Sequence, residues 1–198
     1  MNIKKMLSSE ESLRILKETN ALLEGHFILS SGLHSPKYVQ CAKLLSKPAK
    51  ADIICKSLAE KIQKEFTEID LILSPAMGGI IIGYEIGKLL KKETIFSERV
   101  NGVFQLRRDF LIKANQKVLI VEDVITTGKS SLECSKLVKN NGASLVGYAC
   151  IIDRSKGMSL LNNKIVSQVQ LNIPTYKAED LPKSLSTIKA VKPGSRNI

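Results

Sequence analysis

Apolar positions recur along the chain with two spacings, one typical of amphipathic helices and one typical of buried strands. The helical spacing predicts helices over residues 8–23, 47–66, 80–92 and 130–142. Shorter apolar runs predict strands over residues 26–32, 37–40, 94–99 and 144–153, two strands that run into loops within 70–79 and 117–128, and a late strand over 164–172. Residues 181–198 form a polar tail that is expected to be partly irregular.

The first predicted helix has a sequence signal at each end. Ser8 and the acidic residues after it are typical of a capped N-terminus, and apolar residues follow at helical spacing up to Leu22 and Leu23. Gly25 is expected to end this helix. His34, a few residues further on, is expected to be a loop residue.

Strands that alternate with helices predict an α/β fold in which a parallel sheet is covered on both faces. Ligands of such sheets bind beyond the carboxyl ends of the strands. Three predicted strands end in loops with chemically useful residues, "SPAMGG" at 74–79, "EDVITTGKS" at 122–130 and "DRSKG" at 153–157. We therefore expect a ligand site where these three loops converge.

The loop at 122–130 ends in Gly-Lys-Ser, as an ATP-binding phosphate loop does. That motif requires a glycine five residues before Gly128, where this chain has Asp123 beside Glu122, so an ATP site is a poor interpretation. Small hydroxyl residues at a helix start can hold one phosphate, and carboxylates accept hydrogen bonds from sugar hydroxyls. A sugar phosphate fits this arrangement; the alternative is a capped helix with two solvated acids.

Composition narrows the possible partners. The formal charge of +11 suits phosphates or nucleic acid, or reflects a lysine-rich surface, but aromatic residues make up only 5% and Trp is absent. A basic patch with interleaved aromatic residues is missing from the sequence, so we expect no nucleic-acid partner. The four cysteines are widely spaced and no apolar run approaches a membrane span, which predicts a cytosolic protein without a membrane partner.

The segment "VLIVEDVITTGKS" at 118–130 resembles the phosphoribosyl-diphosphate signature of the type I phosphoribosyltransferases. The wider chain, over about residues 10–160, is similar to the orotate phosphoribosyltransferases among them. The similarity is carried by "FILSSGLHSPKYV" at 27–39, "SPAMGGI" at 74–80, "ER" at 98–99 and "DR" at 153–154.

The resemblance implies a fold and a reaction. The fold would be that of a type I phosphoribosyltransferase, a single domain over 1–198 with a central, mostly parallel sheet flanked by helices and a small N-terminal hood formed mainly by about residues 1–45. The reaction would transfer phosphoribosyl from 5-phosphoribosyl 1-diphosphate to orotate, giving orotidine 5′-monophosphate and pyrophosphate in de novo pyrimidine (UMP) biosynthesis. Mg²⁺ would be carried by the substrate without a direct protein ligand, and the protein would be a homodimer with shared active sites.

The resemblance also assigns residues. It implies that Asp123, Glu122 and Arg99 are catalytic and that Thr126 and Arg154 bind orotate. It implies that phosphoribosyl diphosphate contacts Arg99, Gly78, Gly79, Glu122, Asp123, Val124, Ile125, Thr126, Thr127, Gly128, Lys129 and Ser130. For Tyr38, packing near the pyrimidine and packing in the core are equally favoured, and Lys129 either lies on the surface or reaches the phosphate.

Departures from the family pattern leave alternatives open. Many members carry lysine where this chain has Ser30, Gly78 and Val100, and a longer loop with Lys and His where this chain has the short loop 100–112. Arg107 and Arg108, which lie within that loop, are candidates to supply its positive charge. The rival functions are a phosphoribosyltransferase for another base, for which Arg154 would lack a carboxylate partner, and a non-catalytic regulator that binds the sugar diphosphate.

Overall fold

The first helix is shorter than its apolar pattern predicts. The computed structural model describes residues 6–29 and 31–193, and in it α1 covers Ser9–Glu18. Its predicted cap is confirmed: the Ser8 side chain accepts a hydrogen bond from the backbone N–H of Glu11, and the Glu11 side chain accepts one from the N–H of Ser8. This reciprocal pair satisfies two of the N–H groups that a helix start leaves unpaired.

The predicted continuation of this helix to residue 23 is wrong. Asn20 takes a left-handed backbone conformation with φ of 57°, which turns the chain out of the helix. Leu22 and Leu23 then belong to β1 (Leu22–Ile28), and Gly25 lies inside that strand and does not end the helix. The error arises because buried leucines satisfy either period when a helix runs almost directly into a strand.

Strand β1 pairs with β2 (His34–Val39) in a separate antiparallel two-stranded sheet, and His34 is therefore a strand residue, contrary to the prediction that it lies in a loop. The C-terminal segment is bound to this sheet. The N–H of Ile28 donates to the Val191 carbonyl at 2.9 Å, and His26 Nδ1 donates to the Ile188 carbonyl at 2.8 Å. The two-stranded sheet falls within the predicted hood. The extent of the hood and the single-domain assignment remain predictions. Ser30, where many family members carry lysine, lies outside the described residues.

The main sheet has six strands in the order β5-β4-β3-β6-β7-β8. All of its neighbouring pairs are parallel except β4 and β5, so the predicted α/β architecture with a mostly parallel sheet is confirmed. The strands are β3 (Leu71–Pro75), β4 (Glu93–Val100), β5 (Val103–Leu106), β6 (Lys117–Ile125), β7 (Ser144–Asp153) and β8 (Ile165–Gln170).

Helices cover the sheet on both faces and confirm the remaining helical predictions. They are α2 (Ala42–Leu45), α3 (Pro48–Glu65), α4 (Gly78–Leu90), α5 (Lys129–Asn140) and α6 (Lys183–Ser186), with one 3-10 turn at Ala178–Asp180. One core cluster joins α1, α3 and α4 to the sheet, and a second joins α5 to the opposite face. Within β3, Ile72 enters the first cluster while Leu71 and Leu73 enter the second, as the alternation of strand side chains requires.

The predicted loop 100–112 is partly a strand. Asn101 and Gly102 both have positive φ, 50° and 82°, and form a tight turn that pairs β4 with β5 as an antiparallel hairpin. Asn-Gly favours this two-residue turn because both positions tolerate the left-handed conformation. Only the part after Leu106 remains irregular until β6 begins.

Separately, the helices among the described residues are all too short or too polar to span a bilayer.

Candidate active site

The loops predicted to converge do so because of the strand order. Strands β3, β6 and β7 are adjacent and parallel, so their carboxyl ends lie at one edge of the sheet. Ile125 pairs with Asp153 across β6 and β7, and the N–H of Arg154 donates to the Ile125 carbonyl at 2.8 Å. The start of the loop that follows β6 therefore lies beside Arg154.

A cavity of about 1050 Å³ opens at this edge. Its wall includes Thr126 and Thr127 from the loop after β6, Arg154 from the end of β7, and Tyr38 and Gln40 from the end of β2. It is thus bounded by the main sheet on one side and by the two-stranded sheet on the other. Pockets of several hundred Å³ with a few convergent polar groups are typical of small-molecule sites.

The carboxylates of Glu122 and Asp123 are partly buried at the end of β6. Burial raises the pKa of Glu122 to about 7, although a hydrogen bond from the Ser131 hydroxyl opposes this shift. Burial also raises the pKa of Asp123, whose carboxylate accepts a hydrogen bond from the N–H of Val124 at 2.9 Å. Desolvated carboxylates next to a cavity are candidates for binding or catalysis.

Gly78 and Gly79 bring the loop after β3 against this acidic pair. A Cβ at Gly78 would lie 2.8 Å from Asp123 Oδ1, and one at Gly79 would lie 3.1 Å from the Val121 carbonyl. Both residues are in the first turn of α4, so backbone N–H groups and a helix start lie next to Asp123. Only glycine permits this close approach without a shift of the neighbouring atoms.

The phosphate cradle predicted at 126–130 forms the turn from β6 into α5. Gly128 has φ of 77° and caps α5, and a Cβ there would meet the Leu161 side chain at 2.7 Å. Thr126, Thr127 and Lys129 are exposed, so their polar groups are accessible to a ligand. An α-helix start with small hydroxyl residues is a physically suitable anion site. The other predicted contacts differ in access: Ile125 is buried, whereas Val124 and Ser130 are partly buried.

Arg154 enters the cavity with an unsatisfied donor. Its Nε is buried and has no hydrogen-bond partner among the described residues, and burial lowers the pKa of the guanidinium from its usual range. A guanidinium cannot lose its proton at ordinary pH, so the cost of burial favours an anionic partner. A carboxylate matches its planar fork.

Arg99 is placed apart from these residues. It is exposed on β4 and is not among the residues that line the cavity. Its guanidinium lies 2.8 Å from the Glu133 carboxylate, donates to the Gly102 carbonyl at 2.6 Å, and stacks 4.1 Å above the centre of the Phe104 ring. Within one chain, the structure does not bring Arg99 together with Arg154.

Several cavity residues were not identified from the sequence. Gln40, Ser155, Lys156, Met158 and Lys192 line the cavity. Ser155 and Lys156 lie within "DRSKG", a segment that the sequence already indicated as part of the site. No sequence feature indicated that Lys192, in the polar tail, would line the cavity. Tyr38 both lines the cavity and packs against Phe27, with ring centroids 5.8 Å apart, so neither of the two predicted roles is excluded.

A dedicated metal cage is absent from the described part of the chain, since no three His, Cys, Asp or Glu side chains cluster suitably. Mg²⁺ commonly keeps several waters and is held by substrate phosphates with one or two carboxylates. A Mg²⁺ ion that enters with the diphosphate would be held in this way by the substrate, and the expectation that it has no direct protein ligand stays a prediction.

Comparisons with known proteins show similarity to phosphoribosyltransferases. The family model described as "Phosphoribosyl transferase domain" matches residues 40–182. The chain is 45% identical over 193 residues to an orotate phosphoribosyltransferase of Parvibaculum lavamentivorans strain DS-1, covering 97% of this chain and 100% of that protein. It is 47% identical over 191 residues to one of Methylorubrum extorquens strain PA1, covering 96% and 97%. The crystal structure of orotate phosphoribosyltransferase from Aeropyrum pernix aligns with a TM-score of 0.70 at 25% identity, covering 80% of this chain and 92% of that one.

Proposed function

The chain belongs to the family of orotate phosphoribosyltransferases, and we infer from this that it transfers the phosphoribosyl group of 5-phosphoribosyl 1-diphosphate to orotate. The products are orotidine 5′-monophosphate and pyrophosphate, within de novo synthesis of the pyrimidine nucleotide UMP. The inference is supported by sequence similarity over nearly the whole chain and by the chemistry of the cavity.

One observation carries the choice of orotate. Arg154, whose buried Nε has no hydrogen-bond partner among the described residues, lines the same cavity as Thr126 and Thr127 of the phosphate cradle. A ligand whose phosphate bound at the cradle would therefore reach the Arg154 side chain within the same cavity. Orotate has a carboxylate for that arginine, whereas a purine base has none.

We propose a displacement at the anomeric carbon of the ribose. The bond from N1 of orotate to C1′ forms while the bond from C1′ to the diphosphate oxygen breaks; pyrophosphate leaves with the electron pair and N1 loses its proton to solvent. Glu122 and Asp123 accept hydrogen bonds from ribose hydroxyls, and their negative charge stabilises the positive charge that develops on the sugar. Holding both substrates in line supplies much of the rate enhancement.

Magnesium is part of this proposal as a cation carried by the diphosphate. When bound, it neutralises charge on the leaving pyrophosphate. The backbone N–H groups at Gly78 and Gly79 lie on the side of Asp123 where the diphosphate is expected to bind. Arg99 is proposed to contact the diphosphate from a second subunit.

The decisive experiment follows the ultraviolet absorbance of orotate in the presence of phosphoribosyl diphosphate and Mg²⁺. We expect orotate consumption with stoichiometric pyrophosphate release, abolished by EDTA and restored by added Mg²⁺. Adenine, hypoxanthine and uracil serve as competing acceptors. Turnover of a purine without turnover of orotate would contradict the assignment, and binding without turnover would favour the regulator.

We further propose a homodimer with shared active sites. Met77, Ile81 and Tyr84 form an apolar stripe at helical spacing around the start of α4, with 84%, 51% and 63% of each residue exposed. This stripe is next to Gly78 and hence close to Asp123. Exposed apolar stripes of this kind are typical of subunit contacts.

Sedimentation and subunit mixing test the dimer. The wild type is expected to sediment as a dimer and Tyr84→Glu to shift toward monomer, with Lys139→Glu, at an exposed position of α5 on the opposite face of the sheet, as the charge control. Mixing the impaired variants Arg99→Ala and Asp123→Asn should raise activity above that of either variant alone, because a mixed dimer contains one site with both native residues. A monomeric wild type, or no recovery on mixing, would contradict the shared site.

The cytosolic location also remains part of the proposal. All four cysteines are free thiols and all are buried, which suits a reducing compartment.

A further inference from the structure

Lys156 occupies a backbone conformation that glycine would adopt more easily. Its φ is 54°, in the left-handed region, and the next residue, Gly157, has φ of 74°. Left-handed residues other than glycine are uncommon and cost free energy, so a lysine at such a position raises the question of what its side chain does. Lys156 is exposed and lines the cavity described above.

The turn that holds Lys156 is fixed by local hydrogen bonds. The Asp153 carboxylate accepts from the N–H of Ser155 at 2.8 Å, and the buried Ser155 hydroxyl accepts from the N–H of Gly157 at 3.3 Å. The N–H of Met158 donates to the Ser155 carbonyl at 2.9 Å. The Cα of Lys156 is therefore held in place while its long side chain remains free to reach a ligand.

The same turn is attached at one end to the last residue of β6 and at the other to the phosphate cradle. The N–H of Arg154 donates to the Ile125 carbonyl at 2.8 Å, and the N–H of Leu160 donates to the Thr127 carbonyl at 2.9 Å. Lys156 lies between these two attachments. Its position relative to Arg154 and to the cradle is thus set by the main chain.

The charged side chains that line the cavity are all positive. Arg154, Lys156 and Lys192 line it, and among the described residues no Asp or Glu does. Arg154 is partly buried and presents a planar fork, whereas Lys156 is exposed and carries a point charge on a flexible stem. These two cations can therefore have different roles. Arg154 suits a carboxylate in one fixed geometry, whereas Lys156 can attract an anion through solvent and then form an ion pair with it.

From this arrangement we propose that Lys156 is a second specificity-determining cation for the pyrimidine substrate. It contacts the anionic orotate from the mouth of the cavity, next to the carboxylate held by Arg154, and favours orotate over the neutral uracil. The proposal rests on the function proposed above. Because Lys156 acts on orotate before and during binding, its effect belongs to the affinity for orotate and not to the chemical step.

The test uses Lys156→Gly as the main variant, because glycine suits the left-handed backbone and should leave thermal stability at or above that of the wild type. We expect KM for orotate to rise on the order of tenfold, with kcat and KM for phosphoribosyl diphosphate changed less than about twofold. The discrimination between orotate and uracil should fall, and the salt dependence of kcat/KM for orotate should weaken. Lys156→Arg keeps the charge and should retain most of the affinity.

Lys91→Gly is the matched control. Lys91 is also an exposed lysine in the left-handed conformation, with φ of 56°, but it caps the C-terminus of α4 away from the carboxyl edge of the sheet. The Lys91→Gly variant should leave kcat and the KM values for both substrates unchanged. The proposal is overturned by an unchanged KM for orotate in Lys156→Gly, by an equal rise in both substrates' KM values, or by the same effect in Lys91→Gly. A wild type that does not turn over orotate would instead overturn the proposed function, and this inference with it.

Discussion

The Cα of Gly78 lies against the carboxylate of Asp123, so closely that a Cβ at position 78 would come 2.8 Å from Oδ1 and 3.0 Å from Cγ. This contact joins the loop after β3 to the end of β6 and places the start of α4 beside a partly buried acid. The acid is itself fixed, since it accepts a hydrogen bond from the N–H of Val124 at 2.9 Å.

Gly78→Ala is therefore expected to impair turnover more than folding. The added methyl group must push the Asp123 carboxylate away, while alanine has a better helix propensity than glycine, so thermal stability should fall little. We expect kcat to fall at least about tenfold, which corresponds to about 1.4 kcal/mol in the activation barrier. Steady-state kinetics and a thermal melt on the same preparation check this, and wild-type turnover would show that the contact is not needed.

Asp123→Asn tests the charge of the carboxylate at nearly constant size. If the carboxylate stabilises positive charge on the ribose, kcat should fall by roughly tenfold or more, about 1.4 kcal/mol in the barrier. Binding of phosphoribosyl diphosphate, measured by calorimetry, should change less than kcat because the amide oxygen still accepts hydrogen bonds. A loss confined to binding would reassign Asp123 to substrate holding alone.

Glu122 makes folding stability depend on pH. Burial raises its pKa from 4.5 to about 7 in the folded protein, so the folded state binds the proton more tightly than the unfolded state. Below about pH 4.5 Glu122 is protonated in both the folded and the unfolded state, so its burial does not lower the free energy of unfolding. As pH rises from 4.5 to 7 the unfolded state releases the proton first, stability falls, and the full cost persists above pH 7.

Glu122→Gln should remove that cost. The variant's free energy of unfolding, relative to the wild type, is expected to be more favourable at pH 8 than at pH 5, because glutamine mimics the protonated acid. Urea denaturation of the ligand-free protein at both pH values measures the difference. Glu179→Gln, on the exposed surface, is the control. If the difference between Glu122→Gln and wild type is the same at both pH values, Glu122 does not carry the pH dependence.

Most of the main sheet could be predicted from the sequence because its strands are buried apolar runs bounded by turn residues. The segment 144–153 was predicted with the observed limits of β7, since nine apolar or small residues are followed by the charged pair Asp153 and Arg154. The site loops were also predictable, because the carboxyl ends of parallel strands meet at one edge.

Other features depend on tertiary contacts that a local pattern does not contain. Leu22 and Leu23 fit a helix by spacing, but pairing of Leu22 with Val39 makes them a strand. Strand β5 was missed because Val103 and Gln105 face solvent, and it forms by pairing with β4. The C-terminal tail reaches the cavity through Lys192, about 150 residues from Tyr38 along the chain, and its polar composition gave no sign of this contact.

Arg107 and Arg108 were predicted as a pair to replace the charge of the longer family loop, and the structure separates them. Both side chains are exposed, but Arg108 forms a two-point contact with the Glu98 carboxylate at 3.1 and 3.0 Å, whereas the Arg107 side chain makes no such contact in the described part of the chain. We expect Arg107→Ala to lower kcat several-fold while orotate binding persists. Arg108→Ala, measured alongside, should mainly reduce thermal stability. Unchanged kcat in the double variant would leave neither arginine with a role in turnover.

Arg154 gives the sharpest test of substrate choice. A partly desolvated guanidinium–carboxylate pair contributes roughly 1.5–3 kcal/mol, so Arg154→Ala should weaken orotate binding by about ten- to a hundred-fold. Arg154→Lys should recover little, because an ammonium group cannot reproduce the two parallel hydrogen bonds of the fork. Affinity for phosphoribosyl diphosphate should change far less, since its proposed contacts lie in residues 122–130 and around Gly78.

Separate calorimetric titrations of the two substrates into both variants distinguish the possible roles of Arg154. Loss of orotate affinity alone supports a carboxylate contact at the unpartnered Nε and its neighbouring donors. Because the main-chain hydrogen bond from residue 154 to the Ile125 carbonyl is kept in both variants, equal weakening of both ligands would mean that the Arg154 side chain supports the loop structure and does not contact orotate. If neither ligand is weakened, the buried donor has some other partner, and the preference for orotate over other bases must be explained by other cavity residues.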